Sequence, residues 1–216
     1  MKILVTAATT FEIQPFLDYL STKRHQDCQV TTLIGGIGMM HTAYQLGRQF
    51  AVNKPDLAIQ AGIAGCFDHS WEMGKVVIID KEQLGDLGVE DGVAYKDLFD
   101  IQLWQPDQPP FSNRSLVNPF EGLPALPELP KAGGVTINTV SGSEPTRQLL
   151  LNKYAPEVES MEGAAFHYAC LMEKIPFFQL RSISNFVEVR DKSKWKIPLA
   201  IQSLNDVLIK YFDQWN

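Results

Sequence analysis

Short apolar runs alternate with amphipathic segments along this chain, and the alternation predicts a succession of strands and helices. Lys2–Ala7 reads as a strand, followed by an amphipathic segment through Tyr19. Gln29–Ile34 makes a second strand, the turn Gly35-Gly36-Ile37-Gly38 follows it, and 39–52 has helical periodicity. Asp56–Gln60 is a third short strand that runs into the small-residue turn Ala61–Gly65, and Lys75–Asp80 is a fourth, followed by a polar stretch over 85–92. Val135–Val140 resumes strand character, Ser141–Thr146 turns, and Arg147–Tyr154 is helical. Ile175–Ile183 reads as a brief connection and a buried strand, and an amphipathic helix over 198–212 closes the chain. Strands alternating with helices predict a single α/β domain over 1–216, a three-layer α/β/α sandwich. Between Trp104 and Gly134 seven prolines interrupt any period, which predicts an ordered loop, a lid or an interface arm.

Three places in this pattern carry polar groups where packing alone does not ask for them. Helical stepping from Val158 reaches Glu162, Ala165, Ala169 and Met172, an apolar face with one carboxylate near its first turn. Burying that charge unpaired costs several kcal/mol or more, so Glu162 meets ligand hydroxyls, a helix N-terminus or a distant Arg. Ser184 and Asn185 emerge at the carboxyl end of a strand, where open α/β sheets bind ligands, unless Asn185 only makes a turn. Glu12 lies three residues after Thr9, the spacing of a capping box; a carboxylate at the mouth of a sheet can also act as a general base on water. The glycines at 35–38 lack the spacing of a dinucleotide fingerprint, and no phosphate-loop lysine follows them.

Composition narrows the partners. With 216 residues, 45% hydrophobic and 20% charged, the chain is an ordinary globular protein large enough to bury its own core. A net charge of −6 and the lack of any basic tract give no electrostatic case for nucleic acid or an anionic membrane. Met1–Thr6 is too soon interrupted to be a signal peptide and no apolar run approaches spanning length, so a cytosolic protein is expected. Cys28, Cys66 and Cys170 form no CxxC pair, and His25, His41, His69 and His167 show no paired spacing. Neither a metal nor a cofactor is expected, and the partner is a small molecule.

Taken in order, Glu12, the GIG turn at 36–38, the AGIAG turn at 61–65, Ser141-Gly142, Met161-Glu162-Gly163-Ala164-Ala165 and Ser184-Asn185 resemble the nucleoside phosphorylase and nucleosidase superfamily over nearly the whole chain. Within it the chain is similar to methylthioadenosine/S-adenosylhomocysteine nucleosidases and closer to futalosine hydrolases of menaquinone biosynthesis, which the GIAG turn and the run from Ile183 to Asp191 with Trp195 resemble. The resemblance implies a mixed central sheet and a homo-oligomer, a dimer or larger. It implies that Glu12 activates water, that Met161 and Glu162 hold the ribose, that Ile63 and Ala64 line the site, and that Ser184 and Asn185 contact the departing purine. Adenine-releasing nucleosidases carry Asp where Asn185 stands and often Glu where Ser160 stands. No aromatic follows Ser141-Gly142 at their base-stacking position, which leaves Phe186 or Phe166 for that role.

The amide at 185 bears on which base is released. Cleaving an N-glycosidic bond leaves negative charge on the base, which the enzyme neutralises at N7. An Asn has no transferable proton, but facing a 6-oxopurine its NH₂ donates to O6 and its oxygen accepts from a protonated N7, whereas adenine mismatches one of these. The expected product is hypoxanthine. Water is preferred over phosphate as acceptor because Gln60 precedes the AGIAG turn, where many phosphorylases of the superfamily have Arg. Arg190 either meets an acidic 5′ substituent or makes a surface ion pair with Asp191 or Glu188. The competing readings are a methylthioadenosine/S-adenosylhomocysteine nucleosidase, a purine nucleoside phosphorylase and a non-catalytic nucleoside-binding relative.

Overall fold

The structure, a computed structural model, describes residues 1–23, 28–92, 94–120 and 128–214. In chain order its elements are β1 (Lys2–Ala7), α1 (Thr10–Thr22), β2 (Gln29–Ile34), α2 (Met39–Val52), β3 (Leu57–Cys66), β4 (Val76–Leu84), the hairpin β5 (Gly88–Asp91) and β6 (Ala94–Asp97), β7 (Leu116–Val117), β8 (Lys131–Thr136), α3 (Glu144–Tyr154), β9 (Val158–Ser160), α4 (Gly163–Glu173), β10 (Phe177–Phe186) and α5 (Ile197–Asp213).

Side chains two apart share a strand face, and the two faces of β1 are covered by different helices. Ile3 and Val5 point with Leu57 and Ile59 of β3 into a core closed by Ile13 and Phe16 of α1 and Leu204 and Leu208 of α5. Leu4 and Ala58 point the other way, against Leu46 and Phe50 of α2 and Phe166 and Cys170 of α4. This is the expected three-layer sandwich, and its sheet is mixed. Strands β2, β1, β3 and β10 run parallel, β4 is antiparallel to β10, β8 and β9 follow β4, and β9 returns antiparallel to β3. Strand β3 therefore organises the sheet. β10 pairs with it from Ala58 to Cys66, β1 takes its first half, and β9 takes Gly65 and Cys66. The pairing closes through β3, β10, β4, β8 and β9.

Four expected boundaries move. Residues 61–65 are the interior of β3 and not a turn; the small residues there make room for neighbours, since a Cβ on Gly65 would come within 2.9 Å of Val187 Cγ2. The helix expected from Val158 begins at Gly163, because 158–160 are drawn into the sheet between β3 and β8 and Glu162 stands at the N-cap. The strand expected over 135–140 is β8, shifted back to Lys131–Thr136 by its pairing with β4. The polar stretch after β4 supplies the β5–β6 hairpin. In the proline-rich segment, 121–127 lie outside the described residues, as does His25. Phe111 and Leu116 pack on Ala164 at the start of α4, and Phe111 meets Trp104 with ring centroids 5.0 Å apart.

Candidate active site

A cavity of about 340 Å³ opens at the carboxyl ends of β1, β3 and β10 and the starts of α1 and α4. Of the residues expected at a site, Glu12, Ile63, Ala64, Met161, Glu162, Ser184 and Asn185 all line it. Phe186 and Arg190 do not.

At one end stands Glu12, 8% exposed. Its Oε2 accepts from both the backbone N–H and the hydroxyl of Thr9, each at 3.0 Å, so it does cap α1. Its Oε1 accepts from Ile63 N at 3.2 Å and lies on the cavity side of that cap. One oxygen thus makes the cap, and the other is left on the cavity side. Burial raises its pKa above the ordinary carboxylate value, and the nearby Arg181 guanidinium and the Ile63 and Thr9 hydrogen bonds pull against that rise.

The backbone that carries Glu12 is itself bent. Ile13 departs from helical geometry at φ −121°, and Pro15 sits inside the same turn. Here the completely buried amide of Asn205 on α5 is wedged into α1: Phe16 N donates to its Oδ1 at 3.0 Å, and its Nδ2 donates to the Glu12 carbonyl at 2.9 Å. Those two backbone groups would have bonded to each other in a regular helix. Asn205 replaces that bond and fixes where Glu12 leaves the sheet.

Glu162 answers the question of its burial with two partners. Gly38 N donates to its Oε1 at 3.0 Å, and Arg181 Nη2 lies 3.6 Å from its Oε2. Arg181 is 1% exposed and also donates to Gln60 Oε1 at 3.0 Å. A distant arginine is therefore one partner, and the glycine of the GIG turn the second. A Cβ on Gly62 would collide with Arg181 Nη1 and lie 3.2 Å from Glu12 Oε1, so the bare strand at Gly62 is what admits the guanidinium between the two carboxylates. Sequence reasoning missed Arg181 because it sits inside a strand read only as buried; a full charge within such a strand was the signal. Beneath α4, Glu82 is also buried, accepting from Thr136 Oγ1 and Gln179 Nε2 at 2.9 Å each, and burial pushes its pKa up to about 7.

At the other end the groups are pinned by neutral partners. Asn185 Nδ2 donates to Phe186 O at 3.0 Å, and its Oδ1 lies 2.8 Å from Ser184 Oγ. This leaves one amide hydrogen and one lone pair unused on a side chain that lines the cavity. Beside it, Glu159 accepts from Ser141 N at 3.1 Å and from the Ser141 hydroxyl; burial raises its pKa. Phe186, the next residue of β10, is not part of the cavity lining and stacks on His69, centroids 4.3 Å apart. Phe166 is fully buried against Phe177. Neither offers a face to the cavity; the aromatic rings there are Phe11 and Trp195. Arg190 is exposed and lies over the Trp195 ring at 5.7 Å, while Glu188 pairs with Lys194 and Asp191 bonds to Ser193, so neither surface pair expected of Arg190 is the one it makes. Among the described residues no cluster of His, Cys, Asp and Glu is arranged to hold a metal ion, and no helix is long and apolar enough to cross a membrane.

Residues 6–212 match the sequence profile of the Phosphorylase superfamily. Futalosine hydrolase of Thermus thermophilus is 31% identical over 176 residues, which cover 78% of this chain and 75% of that protein. A 5′-methylthioadenosine/S-adenosylhomocysteine nucleosidase of Staphylococcus aureus is 26% identical over 162 residues, 74% of this chain and 70% of its own. In fold, a futalosine hydrolase mutant of Helicobacter pylori superposes with a TM-score of 0.82 over 99% of both chains at 18% identity.

Proposed function

The chain belongs to the phosphorylase superfamily, and on that premise we propose that its cleft hydrolyses the N-glycosidic bond of futalosine, releasing hypoxanthine and dehypoxanthine futalosine in menaquinone biosynthesis. The observation that carries this reading is Asn185, whose neighbours consume one hydrogen and one lone pair and leave one of each for the base. A lactam edge, with its carbonyl O6 and a protonated N7, takes both; an adenine edge does not.

Around it the parts take consistent roles. Glu12, ionised, draws a proton from water aimed at C1′ through the Oε1 that faces the cavity, a contribution of about 10²- to 10⁴-fold for a general base. Glu162 accepts from the ribose hydroxyls, held by Gly38 and Arg181, and Met161 packs on the sugar face. Ile63 and Ala64 contribute backbone beside Glu12, Ser184 orients Asn185, and Trp195 with Phe11 flanks the 5′ arm. Arg190, stacked on Trp195, is placed to meet an acidic group at the end of that arm.

The enzyme is read as cytoplasmic and as a dimer or larger. Ile37, Met40 and Tyr44 at the start of α2 and Tyr168 and Met172 on the adjoining α4 expose between 42% and 78% of their surfaces, an apolar face fit for a second copy. Light scattering on the eluting protein tests the assembly. The activity is tested by incubating the protein with futalosine, inosine and methylthioadenosine, with and without phosphate, and identifying the freed base. Hypoxanthine from futalosine without phosphate is the expected result; faster release of adenine from methylthioadenosine, or a phosphate requirement, overturns it.

A further inference from the structure

Nothing in the reaction as described uses Glu159, a buried carboxyl group that lines the cleft. Its place in the sheet gives it a partner. In the register of β3 with β9, Gly65 stands opposite Glu159; in the register of β3 with β10, Gly65 stands opposite Asn185. The two polar residues are next-nearest neighbours across a strand whose central position has no side chain. They share a face: a Cβ on Gly65 would lie 3.3 Å from Asn185 Nδ2 and 3.9 Å from Glu159 Cβ. Two strand spacings separate their backbones by roughly 9.6 Å. That span accommodates one edge of a purine with a hydrogen bond of about 2.9 Å at either end, once both side chains lean in over the glycine.

We propose that Glu159 is the second base-reading residue of the site, its carboxylate accepting the N1–H of a 6-oxopurine while Asn185 takes O6 and N7 of the same ring. Chemistry supports the pairing. A lactam purine carries a hydrogen at N1, whereas adenine has a lone pair there that a carboxylate repels. Each oxygen of Glu159 already accepts one bond from Ser141, which aims the group, and a carboxylate has lone pairs left for one more. Gly65 puts no side chain of its own between the two readers; Val187 Cγ2 and Asn185 Nδ2 close over it. Discrimination against a 6-aminopurine thus rests on two side chains, Asn185 at the Hoogsteen edge and Glu159 at N1, each mismatched by adenine in a different way.

The inference rests on the 6-oxopurine reading above, and the test separates the two. Release of hypoxanthine from futalosine by the wild-type enzyme is measured first; if it fails, the parent reading fails, and Glu159 has no lactam to read. If release occurs, inhibition by hypoxanthine and by 1-methylhypoxanthine is compared in the wild type and in Glu159→Ala, which removes the acceptor and leaves room for the methyl group. Loss of N1–H should weaken binding to the wild type at least tenfold, the scale of one hydrogen bond to a charged group. In the variant the difference should shrink to within about threefold, because the carboxylate that prefers N1–H is gone. Equal inhibition of the wild type by the two bases overturns the proposal without any variant, and so does a variant that keeps the full wild-type ratio.

Discussion

The two ends of the cleft solve the burial of polar groups in opposite ways. At the sugar end, Glu12 and Glu162 stand beside one buried cation, Arg181, which a side-chain-free Gly62 lets in between them. At the base end, Asn185 and Glu159 are held by hydroxyl and backbone groups of Ser184, Phe186 and Ser141, with an equally bare Gly65 between them. Charge set against charge keeps a carboxylate reactive and ready to take a proton. Neutral, directional bonds instead fix which way an amide points, which is what selection between two purines needs. Damage at the first end should therefore appear in turnover, and damage at the second in the choice of base.

The sharpest break comes at Glu12. Glu12→Gln keeps the spacing of a capping box, so the fold should survive while kcat falls by about 10²- to 10⁴-fold with KM little changed. The wild type should also lose kcat/KM on the acid side at a pH above the usual carboxylate range, since burial raises the pKa of Glu12 and the base works only when ionised. Steady-state kinetics across pH check both. At the opposite end, Asn185→Asp should leave Glu12 untouched yet lower futalosine turnover by about 10²-fold or more, with relative gain on the 6-amino counterpart bearing the same 5′ arm. A loss shared equally by both nucleosides would erase the division between the two ends.

Beneath the cleft, Glu82 adds a pH dependence that belongs to stability. Its pKa rises from 4.5 to about 7 on burial, so the folded protein holds a proton that the unfolded chain gives up. The contribution is complete below about pH 4.5 and is lost as pH rises through 7, roughly 3 kcal/mol at about 1.4 kcal/mol per pH unit. Denaturant titrations at pH 5 and pH 8 should show this group's decline, and Glu82→Gln should flatten it. The smallest effect is expected at Asn205. Asn205→Leu leaves the Glu12 carbonyl and Phe16 N–H without the amide that joins them, costing about 1–3 kcal/mol of stability and about tenfold in kcat, with the preference between bases unchanged.

The sheet and both helical layers were legible because long apolar runs and period-2 or period-3.6 patterns report burial directly. Glu12, Glu162 and Asn185 were legible as polar residues in positions that packing does not explain. Arg181, Asn205, Glu82 and Glu159 were not, since each acts through a partner far away in the chain: Arg181 through Glu162, Asn205 through Glu12, Glu82 through Gln179 and Thr136, Glu159 through Ser141. Single-sequence patterns do not report such pairings. The AGIAG run misled for a related reason. Small residues announce a turn locally, whereas here they thin a central strand so that neighbours from other strands can meet across it.

The central claim is that a fixed amide selects a lactam base. Its most direct measurement is the ratio of kcat/KM for futalosine to that for its 6-amino counterpart, with wild-type enzyme and no phosphate. The account predicts a preference for futalosine of about 10² or more, toward a ceiling near 10⁴. Equal rates, or faster cleavage of the 6-amino compound, would contradict it.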